Sequence, residues 1–232
     1  MKTTLLTLLP ALALPLFAAE PNTLSDQEKK DGFVLLFDGK TLDGWRNYKK
    51  EQVNPKWTVA DGAITLLSKG AGDLITTKQF ADFELRVEFK IAADGNSGIM
   101  WHVSEKFGAP YQSGPEYQIL DSFAKTGFQA EVAKGNMAGA FYDIIPVKAE
   151  ISKPAGEWNE GVIRIVGSKI TLSINGKVTA DVDSTTDEFK AMLAKSKFAK
   201  WDHFNKETTG HICFQDHGNP VSFRSIRIKE IK

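Results

Sequence analysis

Apolar and polar residues alternate over short segments of the chain, and this alternation predicts β-strands. The clearest case is Phe83 to Ile91, in which every second residue is apolar and every residue between is charged. A period of two places the apolar side chains on one face of a strand and the charged ones on the other, whereas a helix does not hold this period. The segment therefore predicts a strand with one buried face.

Turn signals recur about every eight to twelve residues, a spacing typical of a sandwich or barrel. Asp-Gly and Asn-Gly pairs suit tight hairpins because these residues tolerate positive φ. Asp61-Gly62 predicts a hairpin of residues 57–59 and 63–67, and Asn175-Gly176 one of residues 170–174 and 177–180. Between them, Gly167-Ser168 predicts a hairpin of residues 162–166 and 170–174. Residues 187–198 predict one short helix. The simplest arrangement of these elements is a single all-β domain of two packed antiparallel sheets.

The first nineteen residues differ from the rest and predict a secretory signal peptide. Lys2 supplies a positive start, residues 5–17 are mostly apolar, and Ala18-Ala19 precede a polar residue. A membrane anchor is the alternative, but two prolines interrupt an apolar run that is too short to span a bilayer. We expect a periplasmic or secreted protein with no membrane span after signal removal. The predicted division is a signal peptide over 1–19, a loose arm over 20–32 and a folded domain over 33–232.

Composition narrows the classes of function. Lysine and arginine number 29, as do aspartate and glutamate, so the formal net charge is zero and a nucleic-acid partner is disfavoured. Cys213 is the only cysteine, which excludes an intramolecular disulfide. The sequence contains no Walker loop, no Cys-x-x-Cys pair and no Gly-x-Ser-x-Gly motif. These absences argue against the nucleotide, thiol and serine-hydrolase chemistries that use those motifs.

The most informative polar segment is residues 116–121. As a strand it directs Glu116 and Gln118 to one side and Tyr117 and Ile119 to the other. A bulge at its end would bring Asp121 to the Glu116 side, because an extra residue shifts the alternation by one. Two carboxylates and an amide would then face one groove. The alternative is that both acids are ordinary solvated strand residues.

A second candidate strand covers residues 96–103. Ile99, Trp101 and Val103 are expected in the core. Gly98, Met100 and His102 would then lie on the opposite face. A glycine there lets a ligand or a neighbouring strand approach closely. His102 is read either as a structural histidine or as a substrate-binding one.

Polar residues also cluster where a core strand ends, over residues 211–218. His211 and Gln215 are expected to share the groove face, and Asp216 and His217 to form a loop at its rim. An aspartate beside a histidine can orient the imidazole or join it in binding a metal. The alternative is a turn whose polar groups satisfy one another.

Arg224 lies among the apolar residues of the final predicted strand, residues 221–228. It must therefore either pair with a carboxylate or bind an oxygen-rich ligand. Tryptophans can stack on sugar rings, but most in a sandwich belong to the core, so only one or two are expected to be platforms. The five tryptophans are Trp45, Trp57, Trp101, Trp158 and Trp201.

Taken together, these segments resemble the 3-keto-disaccharide hydrolase family, long known only as a bacterial domain of unknown function. The resemblance runs from about Gly32 to Lys232 and depends on the number and order of the motifs. The matching segments are 33–39 with 42–45, 83–90, 96–99, 116–121, 139–140 with Tyr142, 154–159, 215–218 and 223–224. The resemblance implies an antiparallel two-sheet jelly roll similar to concanavalin A, with one or two short helices, and action on sugars oxidised at carbon 3.

A ketone at carbon 3 makes the carbon 2 proton more acidic, which favours base-initiated elimination of the carbon 1 group followed by hydration. Our hypothesis makes Glu116 or His217 the base, and Arg224 or a bound divalent metal the stabiliser of the enolate oxygen. The residues assigned to catalysis are Glu116, His217, Arg224 and Asp121. The residues assigned to substrate binding are Glu88, Asn96, Gln118, Tyr142, His211, Gln215 and His102, with Asp121, Tyr142 and His211 also considered as the acid.

Two other functions are consistent with the sequence. One is a noncatalytic carbohydrate-binding module, since a jelly roll does not by itself imply catalysis. The other is a retaining β-glycosidase that uses Glu116 and Asp121, whose carboxyl groups would need to lie about 5 Å apart. Carbohydrate is the expected partner in each case, while the sugar, the metal requirement and the oligomeric state stay open. The favoured hypothesis requires Glu88 and Arg224 to share one hollow with Glu116 and Gln118.

Overall fold

The computed structural model describes residues 20–232. The predicted signal peptide lies outside the described residues and stays a prediction. Within the described range, no helix is long and apolar enough to cross a membrane. The helices are α1 (Asp26–Asp31), α2 (Gly127–Ala133) and α3 (Asp187–Lys195), with 3₁₀ turns at Pro110–Gln112 and Lys197–Lys200.

β-Strands are the main regular structure of the described residues, and the paired strands run antiparallel. The strands are β1 (Val34–Leu35), β2 (Trp45–Asn47), β3 (Trp57–Ala60), β4 (Ala63–Leu66), β5 (Leu74–Thr76), β6 (Phe83–Ile91), β7 (Asn96–Val103), β8 (Glu116–Leu120), β9 (Asn159–Val166), β10 (Lys169–Ile174), β11 (Lys177–Asp183), β12 (His211–Phe214) and β13 (Val221–Glu230).

Two sheets pack face to face. The large sheet has the strand order β11-β10-β9-β6-β13-β4-β3, with β1 added beside β13, and the small sheet has the order β2-β5-β12-β7-β8. All the paired strands are antiparallel, which confirms the predicted jelly-roll sandwich. The predicted hairpins are present as β3–β4, β9–β10 and β10–β11.

The core lies between the two sheets and follows the alternation seen in the sequence. In β6 the five apolar residues are at most 3% exposed, while the charged residues between them face outward. Tyr117 and Ile119 of β8 enter the same core from the small sheet. Burial of such side chains stabilises the fold by roughly 1.5–3 kcal/mol each. The alternation therefore also decides which polar residues reach the outer face of each sheet.

The arm before the domain is docked rather than loose. Helix α1 carries a capping box in which Ser25 and Glu28 satisfy each other's backbone amides. Glu28 also accepts a hydrogen bond from Arg227 at 2.5 Å, and Asn22 donates to the Gly62 carbonyl at 2.8 Å. The prediction was wrong because these contacts are polar and lie on the outer face of the large sheet, where apolar patterning gives no signal.

The outer face of the small sheet is partly covered by the connection between β7 and β8. Glu105 pairs with both terminal nitrogens of Arg46 at 2.7 and 2.6 Å, and the Tyr48 hydroxyl donates to the Ser104 carbonyl at 2.9 Å. A Cβ placed on Gly114 would lie only 2.6 Å from a Val103 methyl group. The β7–β8 connection thus packs closely against the small sheet and buries the central part of the outer face of that sheet.

Candidate active site

A pocket of about 350 Å³ opens on the outer face of the small sheet, at its β8 edge. The volume lies within the usual range of small-molecule sites. Its wall combines carboxyl, amide, imidazole, ammonium and aromatic groups. The lining residues are Asn96, Tyr111, Glu116, Gln118, Tyr142, Lys197, Lys200, Trp201, Gln215 and His217. The structure therefore brings together six of the predicted site residues: Asn96, Glu116, Gln118, Tyr142, Gln215 and His217.

The floor of the pocket is made by β7 and β8. Because Tyr117 and Ile119 point into the core, Glu116 and Gln118 point outward into the pocket. Gly98 lies directly opposite Gln118 in the neighbouring strand, and Asn96 begins that strand. All three polar floor residues are at most 4% exposed. The sheet thus holds polar groups at a depth where they are shielded from bulk water.

Several floor and wall groups are left without a protein partner. Among the described residues, neither polar atom of the Gln118 amide has a hydrogen-bond partner, and the same holds for Oε1 of Gln215. Gln215 is held in place by its backbone, which donates to Gly98 at 2.9 Å. Buried polar groups are normally paired, because leaving one unpaired costs about 1–3 kcal/mol. These amides are therefore placed to bind a ligand rich in hydroxyl or carbonyl groups.

Glu116 is the buried acid of the pocket. Burial raises its pKa to about 8, the positive charge of Lys197 opposes that rise, and the negative charge of Asp73 adds to it. At neutral pH the carboxyl group is therefore mostly protonated and suited to donate a proton. Sequence reasoning treated Glu116 mainly as a base, because the burial that raises its pKa is visible only in three dimensions.

Gly98 allows Glu116 to lie flat on the strand beside it. A Cβ at position 98 would come within 2.3 Å of Oε1 of Glu116 and within 2.8 Å of two further atoms of that side chain. The predicted close approach at this glycine is thus made by Glu116 itself. Any larger residue must displace the carboxyl group.

Replacement of Gly98 by alanine is expected to lower kcat/KM by at least about tenfold, because a small displacement of a reacting group is costly. The same clash should cost about 1–3 kcal/mol of stability, as overpacking usually does. Steady-state kinetics and a denaturant titration measure the two effects. Gly135→Ala is the control, since a Cβ there meets nothing within 4 Å. Full activity in Gly98→Ala would show that the position of Glu116 is not critical.

His217 stands on a loop fixed by two aspartates. One oxygen of Asp216 accepts hydrogen bonds from the backbone amides of Gly70, Ala71 and Gly72 at 2.7–2.9 Å. In return the Asp216 backbone amide donates to Asp73 at 2.9 Å. The loop with residues 70–73 and the loop with Asp216 and His217 therefore hold each other in place. Of the two alternatives that the sequence left open for Asp216, the structure shows the turn whose polar groups satisfy one another, because its carboxylate accepts from backbone amides.

The imidazole of His217 is suited to accept a proton. Its pKa lies below the usual 6.5 because partial burial and the positive charge of Lys197 disfavour the protonated form, while Asp216 opposes the shift. Neutral imidazole is thus the main form at pH 7. Glu116 and His217 have pKa values pushed in opposite directions, and such a pair assigns the acid and the base.

Two lysines that sequence reasoning missed line the pocket, Lys197 and Lys200, and Lys197 is the one whose charge acts on Glu116 and His217. It opens the 3₁₀ turn after α3, where its backbone amide donates to Asp143 at 2.7 Å and its Nζ lies 3.9 Å from the centre of the Tyr142 ring. Residues 187–198 were predicted only as a short helix. The structure shows that this excursion brings the Lys197 ammonium group to the pocket that Glu116 and Gln118 also line. No periodic signal marks such a residue.

Arg224 and Glu88 lie elsewhere, so the expected convergence with Glu116 and Gln118 is wrong. Arg224 donates to Glu88 at 2.6 Å and covers the ring of Trp158 at 4.1 Å. Both charged residues face outward from the large sheet, because their neighbours along β6 and β13 fill the core. The pocket opens on the outer face of the other sheet, on the far side of that core. Arg224 therefore takes the carboxylate-pairing alternative.

Asp121 does not join Glu116 on the pocket face, and the predicted bulge is absent from the β7–β8 ladder, whose register is continuous. Asp121 instead accepts hydrogen bonds from the backbone amides of Asp94 at 3.0 Å and Phe123 at 3.1 Å. Its carboxylate thus fixes the turn between β6 and β7. The two-carboxylate arrangement required of a Glu116–Asp121 glycosidase is not formed.

His102 is also absent from the pocket, because a bulge in β7 reverses the alternation there. Its φ is +51°, and the β7–β12 register shifts at the same place. As a result Val103 moves to the outer face, where it packs with Met100, and the His102 ring turns toward Phe83 and the Ala81 carbonyl. The sequence placed both residues on the wrong faces.

His211 shares the outer face with Gln215 but lies too far along β12 to reach the pocket. Four residues of extended strand separate the two by about 13 Å. The His211 ring contacts the Thr76 carbonyl at 2.6 Å and the Gln79 amide at 3.1 Å. It is a buried structural histidine in the region of the Arg46–Glu105 pair.

Among the five tryptophans, Trp201 alone lines this pocket. Trp45, Trp57 and Trp101 are at most 5% exposed and belong to the core. Trp158 lies on the outer face of the large sheet with Arg224 and Lys90. Across residues 20–232, no group of three or more His, Cys, Asp and Glu side chains is arranged to hold a metal ion.

Comparison with known proteins gives one family and consistent neighbours. The family described as the 3-keto-alpha-glucoside-1,2-lyase-like domain matches residues 32–229. A 3-keto-disaccharide hydrolase of Bacteroides thetaiotaomicron is 34% identical over 240 residues, which cover 91% of this chain and 83% of that protein.

Two crystal structures of candidate glycosyl hydrolases from Parabacteroides distasonis share the fold. The first has a TM-score of 0.81 and 29% identity, covering 92% of this chain and all of the other. The second has a TM-score of 0.64 and 23% identity, covering 86% of this chain and 99% of the other, and supports the fold alone.

Proposed function

The chain belongs to the 3-keto-alpha-glucoside-1,2-lyase-like domain family, and from this premise we propose that it cleaves 3-keto-glycosides by elimination and hydration. It is a glycoside-cleaving hydrolase, as is supported by its 34% identity to a 3-keto-disaccharide hydrolase. The observation that carries the proposed mechanism is a single buried carboxyl group, Glu116, which faces unpaired amides, an imidazole and an ammonium group in one pocket.

The proposed first step removes the proton on carbon 2. His217 accepts this proton, and the electron pair of the broken C–H bond forms a double bond between carbons 1 and 2. The bond between carbon 1 and the leaving oxygen breaks, and Glu116 gives its proton to that oxygen. The product still bound is an unsaturated 3-keto sugar.

The second step restores saturation. Water adds its oxygen to carbon 1, the protonated His217 returns a proton to carbon 2, and the proton lost by the water restores Glu116. The net reaction is hydrolysis of one glycosidic bond by one water molecule. This route requires one base and one acid rather than two ionised carboxylates, which matches the content of the pocket.

Lys197 is proposed to stabilise the oxygen at carbon 3, where negative charge develops when the carbon 2 proton leaves. A fixed cation or donor at such an oxygen is typically worth about 3–4 kcal/mol. Gln118, Asn96 and Gln215 are proposed to bind the hydroxyl groups of the ring. The unpaired amide of Gln118 supports this assignment most directly.

The rate of 3-keto-disaccharide cleavage is expected to follow a bell-shaped pH profile. Activity should fall on the acid side as pH drops through the pKa of His217, below 6.5, because the protonated base cannot accept a proton. It should fall on the alkaline side as pH rises through about 8, where Glu116 loses the proton that it must donate.

The measurement is kcat/KM against pH for a 3-keto-disaccharide, with the unoxidised disaccharide as the comparison substrate. A rate that rises through pH 8 would instead make ionised Glu116 the base. Cleavage of the unoxidised sugar at a similar rate would support an ordinary glycosidase. Binding of both sugars without cleavage would support a carbohydrate-binding module.

The structure favours catalysis over binding alone. A sugar-binding surface needs aromatic and hydroxyl-binding groups but gains nothing from a buried, protonated carboxyl group whose ionisation is opposed by desolvation. Strongly shifted pKa values in a cleft are typical of catalytic groups. Glu116 shows such a shift, and the pKa of His217 in the same pocket is displaced in the opposite direction.

A further inference from the structure

Burial changes sharply along the pocket. Glu116 and Gln118 at the floor are 4% and 1% exposed, whereas Tyr111 at the mouth is 41% exposed. The floor carries the acid and the unpaired amide, and the mouth carries Tyr111, Trp201 and Lys200, whose Nζ lies 4.5 Å from the centre of the Trp201 ring. A ligand that spans the pocket therefore meets reactive groups at one end and ring faces at the other.

The two aromatic rings at the mouth come from distant parts of the chain. Tyr111 lies in the 3₁₀ turn Pro110–Gln112, and Trp201 follows the turn Lys197–Lys200. Their ring centres are 5.4 Å apart with a 48° angle between the planes. The rings therefore form an open V at the pocket edge rather than a closed stack.

Both rings are held firmly from behind. Trp201 packs against Phe198 at 6.0 Å, and Phe198 is itself stacked on Phe204 at 4.2 Å within the core. On the other side, Gln112 accepts a hydrogen bond from the Gly108 amide at 2.8 Å, which closes the loop that carries Tyr111. A rigid aromatic surface binds a ligand with a small loss of conformational entropy.

Partly exposed aromatic faces beside buried amides match the surface of a pyranose ring. Such a ring presents C–H groups on its faces, which pack on aromatic rings, and hydroxyl groups at its edge. The reacting 3-keto ring must lie at the floor, within reach of Glu116 and His217. The group attached to its carbon 1 then extends toward the mouth.

We propose that Tyr111 and Trp201 form a binding subsite for the sugar ring that departs in the reaction. The subsite makes the leaving group a pyranose rather than a small alkyl group. This inference rests on the proposed function, because it assumes that a 3-keto ring occupies the floor. It adds a specificity for the leaving group that the catalytic groups do not supply.

The test compares two substrates with the same keto ring and anomeric configuration: a 3-keto-disaccharide and the corresponding methyl 3-keto-glycoside. The wild-type protein is expected to show a higher kcat/KM for the disaccharide. Trp201→Ala and Tyr111→Ala are each expected to reduce this preference by about tenfold, the effect of losing one ring contact. Trp201→Phe keeps an aromatic face and should retain part of the preference.

Trp158→Ala is the matched control, because that indole lies on the outer face of the large sheet and should leave the preference unchanged. Equal kcat/KM values of the wild-type protein for the two substrates would by themselves overturn the proposed subsite. So would an unchanged preference in folded Trp201→Ala and Tyr111→Ala. If the wild-type protein cleaves neither substrate, the proposed function itself is wrong, which is a distinguishable result.

Discussion

Replacement of Glu116 by glutamine is expected to lower kcat/KM for a 3-keto-disaccharide by about 10²–10⁴-fold, the usual contribution of a positioned acid or base. Glutamine has nearly the same shape and fills the same space beside Gly98, but it cannot release a proton to the leaving oxygen. Kinetics on the purified variant measure the loss. Glu157→Gln is the control, since Glu157 is exposed and lies outside the pocket.

The same substitution is expected to change how stability depends on pH. Because the folded pKa of Glu116 is about 8 and its ordinary value 4.5, the folded protein binds an extra proton between these values. The free energy of unfolding of the wild type should therefore fall, relative to Glu116→Gln, by roughly 3 kcal/mol from pH 5 to pH 8. Urea titrations at both pH values measure this.

Two results would contradict this account of Glu116. A folded Glu116→Gln protein with wild-type activity would remove the residue from the mechanism. Parallel pH dependences of stability in the two proteins would show that the carboxyl group is not buried in its protonated form. The two measurements are independent, since one reports catalysis and the other reports ionisation in the free protein.

Replacement of Lys197 by methionine is expected to lower kcat/KM by about 10²–10³-fold, the range for removing one stabiliser of a developing oxyanion. Methionine keeps most of the length of the side chain against Tyr142 but removes the charge. In the wild-type protein the positive charge of Lys197 lowers the pKa of both Glu116 and His217. Loss of this charge should therefore move both limbs of the pH profile to higher pH.

Lys195→Met tests whether loss of any lysine in this segment has the same effect. Lys195 is exposed at the end of α3 and does not line the pocket. It should therefore keep wild-type kinetics and an unshifted profile, and Lys197→Arg should recover part of the activity. A Lys197→Met protein with an unchanged rate and unchanged limbs would refute the role of this ammonium group.

The sequence predicted those features that depend on local alternation. The period of two in β6 identified a strand with one buried face, and the pairs Asp-Gly, Gly-Ser and Asn-Gly identified the three hairpins. The same reasoning placed Glu116 and Gln118 on a common face opposite Tyr117 and Ile119. These predictions succeed because burial acts on each residue of a regular strand in a repeating way.

The predictions failed where the alternation is interrupted or where two sheets must be told apart. A bulge at His102 reverses the faces of β7, and nothing local in the sequence signals it. Arg224 and Glu88 were correctly expected to face outward. The period of two does not indicate, however, to which of the two sheets their strands belong. Both errors concern features that depend on how strands distant in the sequence pair with each other.

Lys197 and Asp73 were missed for a different reason. Lys197 reaches the pocket from a non-repetitive turn, and Asp73 belongs to a loop whose position depends on Asp216, more than 140 residues further along the chain. Charged residues in such segments are usually solvated surface groups. Only the folded structure shows that these two act on the ionisation of Glu116.

The central claim, that cleavage begins with removal of the carbon 2 proton, is tested most directly by running the reaction in heavy water. A 3-keto-disaccharide should be cleaved, and the keto sugar released should carry deuterium at carbon 2, because the exposed imidazolium of His217 exchanges its proton with the solvent before it returns one. Turnover that leaves ordinary hydrogen at this carbon, together with equal rates for substrates carrying hydrogen or deuterium there, would contradict the elimination mechanism.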